Sequence, residues 1–365
     1  MKLKEQLRLL AFVLALPMAF VACDSNDYQE EYPIFVEKGV YVFNSGNQGK
    51  SIEGSLSFID EKTETVTNDV FKIANSRSLG STVQDGVVLG NNLFVAVYES
   101  NTIEVVNKNT LVSIAQIRPT AAQGKGPRDI VTDGKNIYVS MFSGHVLRID
   151  PSTNTIDKTI QVGPNPEEMV VANGFLYVVN SDGMNYNAGY ANGKSVSKIA
   201  LSTFTEEKKI AVGMNPTKIA ADASGNVFAL CMGDYGAVPS SLWKINSKDE
   251  AEEWKVTGTL MATKGNSIYV IDSPWGATAT AMKYVVYNTL TGEMVKDNFV
   301  STPADAAVGL AIDPVTEHIF ITSYNLVGGF ASADTPGYVN EYSADGTFIK
   351  KFDVGVGAVY MAFLK

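Results

Sequence analysis

The stretch Gly126-Pro127-Arg128-Asp129-Ile130-Val131-Thr132-Asp133-Gly134-Lys135-Asn136-Ile137-Tyr138-Val139-Ser140-Met141-Phe142-Ser143-Gly144-His145-Val146-Leu147-Arg148-Ile149-Asp150-Pro151-Ser152-Thr153-Asn154 decides the fold. A Gly-Pro turn leads into Ile130-Val131, and the turn Asp133–Asn136 leads into Ile137–Met141. Only Phe142-Ser143-Gly144 separates that strand from His145–Ile149, and an Asp/Asn-rich turn then leads into Thr155–Val162. Short β-branched and aromatic runs bounded by Gly, Pro, Asn and Asp are strands joined by tight turns.

The phrase recurs. Gly163-Pro164-Asn165-Pro166 reopens it, with Phe175–Asn180 as the next strand, and Gly213-Met214-Asn215-Pro216 does so again, with Val227–Leu230. Looser copies run from Asn92–Val97 to Thr102–Val106, from Ser267–Ile271 to Tyr284–Tyr287, and from His318–Thr322 to Tyr338–Tyr342. Strands of this kind in repeats of roughly 37–52 residues, with no long helical period, have the size of propeller blades. The first copy begins with a second strand, Lys38–Asn44, and the chain ends on a lone first strand, Gly357–Phe363. Pairing the two completes a blade and leaves no open sheet edge. The fold class expected is all-β, a seven-bladed β-propeller closed by N- and C-terminal strands in one blade.

The repeat also resembles the YVTN or YncE-like propeller family. Ile137-Tyr138-Val139-Ser140 and Leu176-Tyr177-Val178-Val179-Asn180 stand where that family carries its Tyr-Val-Thr-Asn strand. Val146-Leu147-Arg148-Ile149-Asp150 and Ser57-Phe58-Ile59-Asp60 stand where it carries its third strand and turn. The resemblance covers residues 38–365, and what it implies is a fold.

Ahead of the repeats, Lys2, Lys4 and Arg8 precede an apolar run from Leu9 to Phe20 and the sequence Val21-Ala22-Cys23. This is the pattern of a secretory signal, expected over residues 1–22. Phe20-Val21-Ala22-Cys23 resembles the bacterial lipobox, with Phe20 in place of the usual leucine, which implies lipidation of Cys23. Residues 23–37 read as an acidic tether, and Asp24–Tyr32 resembles a surface-export signal that follows the lipid cysteine in one Gram-negative group. The expected location is the outer membrane, held by lipid alone and facing the exterior.

The net charge of −10 becomes −12 without residues 1–22, which carry three basic side chains and one acidic one. So acidic a chain displaces few counterions from phosphates, so nucleic acid is not an expected partner. Cys23 and Cys231 give no disulfide framework, and His145 and His318 fall in separate blades. No G-x-S-x-G elbow occurs, and Cys231 in Leu230-Cys231-Met232 reads as a small buried thiol. The carboxylates stand mostly in turns. Neither catalysis nor a cofactor or metal site is expected, although calcium held in the channel by Asp, Asn and Glu stays open.

Function is expected on one face. In a four-stranded blade the loop between strands two and three shares a face with the link from blade to blade. Those loops are long at Ser181–Lys194, Gly233–Ser240, Ser273–Lys283 and Asn325–Gly337, and moderate at Ser45–Gly54. Long, aromatic-bearing loops on one rigid face suit ligand binding. The expected ligand-binding residues are Tyr98, Arg128, Phe142, Asn180, Asp182, Tyr186, Tyr235, Trp275 and Tyr324, with Tyr190 and Phe330 among the same loops. Arg77, Arg118, Asp129, Glu167, Glu168, Lys218 and Asp305 are placed at the same mouth, to contact ligand or to tie blades together.

The lipobox, tether, blade count and loop-rich face together resemble the lipoprotein propellers (BtuG-type) that capture vitamin B12. That resemblance implies a small-molecule ligand, cobalamin or another corrinoid, handed to a TonB-dependent outer-membrane receptor. Two other readings stay open: an interaction module for protein, glycan or surface layer, and a metal-dependent hydrolase.

Overall fold

The computed structural model describes residues 32–365 apart from 275, 277 and 278. Residues 32–365 form one compact unit. The expected signal segment, Cys23 and the tether up to residue 31 lie outside the described residues.

Seven four-stranded antiparallel sheets account for nearly all the strands. The first strands of the blades are Ala358–Leu364 (blade 1), Val83–Leu89 (blade 2), Pro127–Thr132 (blade 3), Pro166–Ala172 (blade 4), Pro216–Ala221 (blade 5), Leu260–Lys264 (blade 6) and Ala307–Ile312 (blade 7). Each packs against the first strand of the next blade, and Ala358–Leu364 packs against both Ala307–Ile312 and Val83–Leu89. The ring is therefore closed around these strands. Closure is as the sequence implies: Gly39–Asn44 pairs antiparallel with the C-terminal strand, Val40 opposite Phe363 and Val42 opposite Met361. Lys365 then bonds to both Glu61 and Asp313, tying blade 1 to blade 7.

Burial explains the two kinds of strand. Second and third strands are covered on both faces by the adjacent blades, so Ile137–Met141 and Val227–Cys231 are buried throughout. A continuous apolar run is what such a position requires. The fourth strand lies at the rim, and Thr155–Gln161 alternates exposed and half-buried residues. The apolar core is divided into seven layers, one between each pair of neighbouring blades. Phe94 and Ile103 of blade 2 meet Ile137 and Leu147 of blade 3, for example. No blade buries its faces alone, which makes the ring the folding unit.

Turn chemistry supplies the repeat's punctuation. Asp133 Oδ1 accepts from the Lys135 and Asn136 amides, Asp60 Oδ1 from Lys62 and Thr63, and Asp222 Oδ1 from Ser224 and Asn226. These are Asx turns, and they engage many of the carboxylates.

The inter-strand loops fall where the sequence places them. Three contain regular structure: Gln48–Lys50 and Gly183–Ala188 are 3-10 helical, and the blade 7 loop carries a small hairpin, Asn325–Val327 with Phe330–Ser332. A short helix, Val70–Asn75, links blade 1 to blade 2.

Candidate functional site at the loop-bearing mouth

Five of the first strands enter the ring the same way. A residue with left-handed backbone precedes the strand: Thr82, Gly126, Asn165, Asn215 and Gly357. Pairing then shifts register near the strand start in blades 2 to 5 and in blade 7, as in a β-bulge. The third residue after the left-handed one is Asp85, Asp129, Glu168, Lys218 and Tyr360 respectively.

Three of these carboxylates latch blade to blade. Asp85 Oδ2 accepts from the Ile130 amide at 3.4 Å, Asp129 Oδ2 from Met169 at 2.8 Å, and Glu168 Oε2 from Ile219 at 3.2 Å. Each thus satisfies an amide near the bulge of the next blade. Burial pushes the Asp85 carboxyl up to about 6. Burial and the Asp85 carboxylate together hold Asp129 well above the usual carboxylate range. Two carboxyls buried beside each other favour a state in which one carries a proton and donates it to the other.

Contacts also cross the channel. Lys218 Nζ donates to Glu168 Oε1 at 2.6 Å and to the Tyr360 hydroxyl at 2.9 Å, and that hydroxyl donates to the same Glu168 oxygen at 3.0 Å. Burial opposes the charge on Lys218, but the Glu168 carboxylate outweighs it and raises the pKa above the ordinary lysine value. Blade 1 is thereby joined to blades 4 and 5.

Above this bridge lies a cavity of about 350 Å³ lined by Arg128, Phe142, Glu167, Gly183, Met184, Tyr190, Asn215, Thr217, Lys218, Tyr235 and Tyr360. Arg128 donates through Nε to Glu167 and through Nη1 to Gln84 Oε1 at 2.8 Å. Its guanidinium lies 5.8 Å from the Tyr98 ring centroid and 5.5 Å from that of Phe142, two rings that meet edge to face at 5.7 Å. Such stacking holds a cation in place while leaving N–H groups free.

Of the residues expected to bind ligand, Arg128, Phe142 and Tyr235 line this cavity, and Tyr98 supports it from behind. Tyr186 is 61% exposed on the blade 4 loop and does not line the cavity. Tyr324 lines a separate depression with Pro274, Leu326 and Phe330. Trp275 lies outside the described residues.

Asn180 and Asp182 sit differently from the ligand contacts expected of them. Asn180 is fully buried, its amide donating to Ser195 Oγ and Ser197 Oγ and accepting from the Gly163 amide. A Cβ at Gly163 would stand 2.4 Å from the Asn180 Cγ, so glycine lets the amide clamp two blades. Asn44 likewise donates to Ser55 Oγ and Ser57 Oγ and packs against Gly355 of blade 7, but its Oδ1 has no hydrogen-bond partner among the described residues. Asp182 Oδ2 accepts from Asn185 and from the Asn192 amide, shaping the loop itself. Arg77 is not at the mouth: it bonds Glu104 and Ser113 on the outer strands of blade 2. The Asp305 carboxylate accepts the Tyr338 hydroxyl at 2.8 Å.

Several lining residues were absent from the expected set. Met184 and Thr217 carried no signal in the sequence. Tyr360 read only as part of the closing strand, although its offset from Gly357 equals that of Asp129 from Gly126.

On the opposite face, a cavity of about 560 Å³ opens at the seam of blades 7 and 1. Several of its polar side chains already have partners: Lys38 with Glu61, Glu64 with Lys350 beside the cavity, and His318 Nδ1 with Glu341 Oε1 at 2.7 Å. Cys231 is buried and its thiol is pushed up to about 12 by that burial. Among the described residues no three His, Cys, Asp or Glu side chains gather as a cation cage.

The fold is shared with solved structures of low sequence identity. Kuenenia stuttgartiensis hydrazine synthase superposes with a TM-score of 0.57 at 15% identity, over 76% of this chain and 88% of that one. The computationally designed Ika8 protein gives 0.56 at 11% identity, over 90% and 89%. The extracellular domain of BT4673, a candidate one-component system from B. thetaiotaomicron, gives 0.58 at 14% identity, over 87% of this chain and 41% of that one. No curated protein matches the sequence. The chain matches, over residues 38–363, the family described as "Domain of unknown function (DUF5074)", and it belongs to that family.

Proposed function

We propose that this chain is a non-catalytic ligand-capture protein, displayed on the cell surface through a lipid on Cys23, whose ligand enters at the loop-bearing mouth. The observation that carries the reading is the cavity walled by Phe142, Met184, Tyr190 and Tyr235 above the Arg128–Glu167 and Lys218–Glu168 pairs. Aromatic walls over a few fixed polar groups are the usual composition of a small-molecule site. A nutrient caught there would pass to a TonB-dependent outer-membrane transporter. The ligand proposed first is a corrinoid: broad, amphipathic and rich in amides, it would span the mouth from this cavity to the Tyr324–Phe330 depression.

Titration of the purified chain with cyanocobalamin tests the ligand. Heat and a change in corrin absorbance at micromolar concentration are expected, and their absence removes the corrinoid. Radiolabelled palmitate incorporation, abolished by Cys23→Ser, tests the anchor.

A second reading has its own support. Met184, Tyr186, Tyr235 and Phe330 are each more than 60% exposed on loops of the same face. Large apolar side chains displayed together suit a protein, glycan or surface-layer partner.

A further inference from the structure

The floor of the mouth cavity carries hydrogen-bond donors that no protein group engages. Lys218 carries three N–H groups and uses two, on Glu168 and Tyr360. Arg128 engages Glu167 and Gln84 through Nε and Nη1, which leaves Nη2 without a partner among the described residues. Thr217 Oγ1 is buried and has no hydrogen-bond partner. The neighbouring carboxylates each hold protein donors already. Glu168 Oε1 takes both Lys218 and Tyr360, and Oε2 takes the Ile219 amide. Glu167 Oε2 takes Arg128, and Oε1 lies 3.5 Å from Ser181 Oγ.

Donors without protein partners favour a ligand that supplies oxygen. An ammonium or amine would bring only further donors to Lys218 Nζ and Arg128 Nη2, which need an acceptor. The walls add a second requirement, since Phe142, Tyr190 and Tyr235 present rings and Met184 an adaptable thioether.

Resting on the ligand-capture reading, we infer that the mouth recognises a carboxylate or carboxamide oxygen on the Lys218–Arg128–Thr217 floor, carried by a flat apolar body held by the aromatic wall. The floor itself is balanced, two cations against two carboxylates, so carboxamide and carboxylate both fit. A carboxylate gains charge-assisted bonds from Lys218 and Arg128.

Three probes sharing one ring separate the possibilities: indole-3-acetate, indole-3-acetamide and tryptamine, each titrated into the purified chain by ligand-observed NMR. The acid and the amide are expected to bind at least about tenfold more tightly than the amine, the worth of one hydrogen bond to a charged donor. Lys218→Met is expected to abolish that preference, and Tyr235→Ala to weaken all three. Because Lys218→Met leaves Glu168 without its cation, Thr217→Val serves as the companion variant. It removes a donor at nearly constant shape and is expected to weaken the acid and amide alone. Equal or tighter binding of tryptamine, indifference to both floor variants, or no binding by any probe overturns the inference. A corrinoid that binds but ignores Lys218→Met likewise overturns it and leaves ligand capture standing. Cyanocobalamin binding untouched by Tyr235→Ala and Phe142→Ala would instead remove the mouth as the capture site.

Discussion

The inner ring has two unlike halves built on one backbone plan. In blades 2 to 5 the residue three positions after the strand-opening turn is Asp85, Asp129, Glu168 and Lys218. Each of the three carboxylates reaches forward to an amide of the next blade. In blade 7 the corresponding residue is Gly309, which lets the Val359 carbonyl of blade 1 stand 2.2 Å from where a Cβ would be. In blade 1 it is Tyr360, which crosses the channel instead. Blades 2 to 5 are therefore joined by side-chain latches, and blade 7 meets blade 1 by direct backbone approach. A propeller needs only that neighbouring blades meet, and both solutions achieve it. The charged half is then free to present donors and acceptors at the mouth, and there the capture cavity sits.

The largest expected effect comes from breaking the polar half at Glu168→Ala. The variant leaves Lys218 as a partly buried, uncompensated charge and the Ile219 amide unsatisfied, so a loss of about 3 kcal/mol in unfolding free energy is expected. Chemical denaturation measures it. If Glu168→Ala unfolds at the wild-type denaturant midpoint, the cross-channel bridge contributes nothing to stability. The matching break at the blade 7–blade 1 seam is Gly309→Ala, whose methyl would collide with the Val359 backbone carbonyl as well as with Thr322 Oγ1. About 2 kcal/mol is expected, and a neutral result would mean that blades 7 and 1 can separate without cost.

A third experiment uses pH. The Asp85 carboxyl is raised from its ordinary value of 3.8 to about 6 and Asp129 is held well above the ordinary carboxylate range, so the folded ring holds protons more tightly than the unfolded chain. This contribution to stability is complete below the unfolded value near pH 4 and is lost as pH rises through about 6. Asp313, lowered to about 2 chiefly by its bond to Lys365 against the opposing effect of burial, acts in the opposite sense, favouring the fold above pH 4. Asp129→Asn separates them. Its amide can donate to Asp85 permanently while its oxygen keeps the Met169 amide. The variant is expected to gain about 1–2 kcal/mol over wild type between pH 5 and pH 8. A difference that stays constant across that range would exclude proton sharing in the pair.

These two halves also divide what the sequence made legible. The blade count was readable because each blade is punctuated by residues with a local backbone reason to be there: Asp133, Asp60 and Asp222 in Asx turns, and Gly126 or Asn165 in left-handed positions. Exposed loop aromatics such as Tyr235 were readable for the same reason, since a long loop on a rigid face shows in strand spacing alone. Asn180 misled because the asparagine ending a Tyr-Val-Val-Asn strand looks like a polar group at a mouth. Its role as an inter-blade clamp depends on Gly163, seventeen residues earlier and in the preceding blade's edge. The partnership of Tyr360 with Glu168 and Lys218 was hidden more deeply, because it joins residues 192 and 142 positions apart across a closed ring. Only the shared offset from Gly357 and Gly126 marked Tyr360 as an inward-facing position.

Tyr360→Phe carries the smallest expected effect and separates the two roles of the channel bridge. The ring remains to pack beside Lys218, whose Nζ lies 4.6 Å from its centroid, and only the hydroxyl is removed. Glu168 and Lys218 still meet directly. Stability should therefore fall by about 1 kcal/mol or less, the net worth of one hydrogen bond whose partners keep others. Lys218, however, regains an unused N–H in place of its bond to the hydroxyl. If the floor reads ligand oxygen, the variant should hold indole-3-acetate at least as tightly as wild type does while melting slightly lower. Loss of both stability and binding together would mean that the bridge acts as a structural plug, with the charged half of the ring serving closure and not recognition.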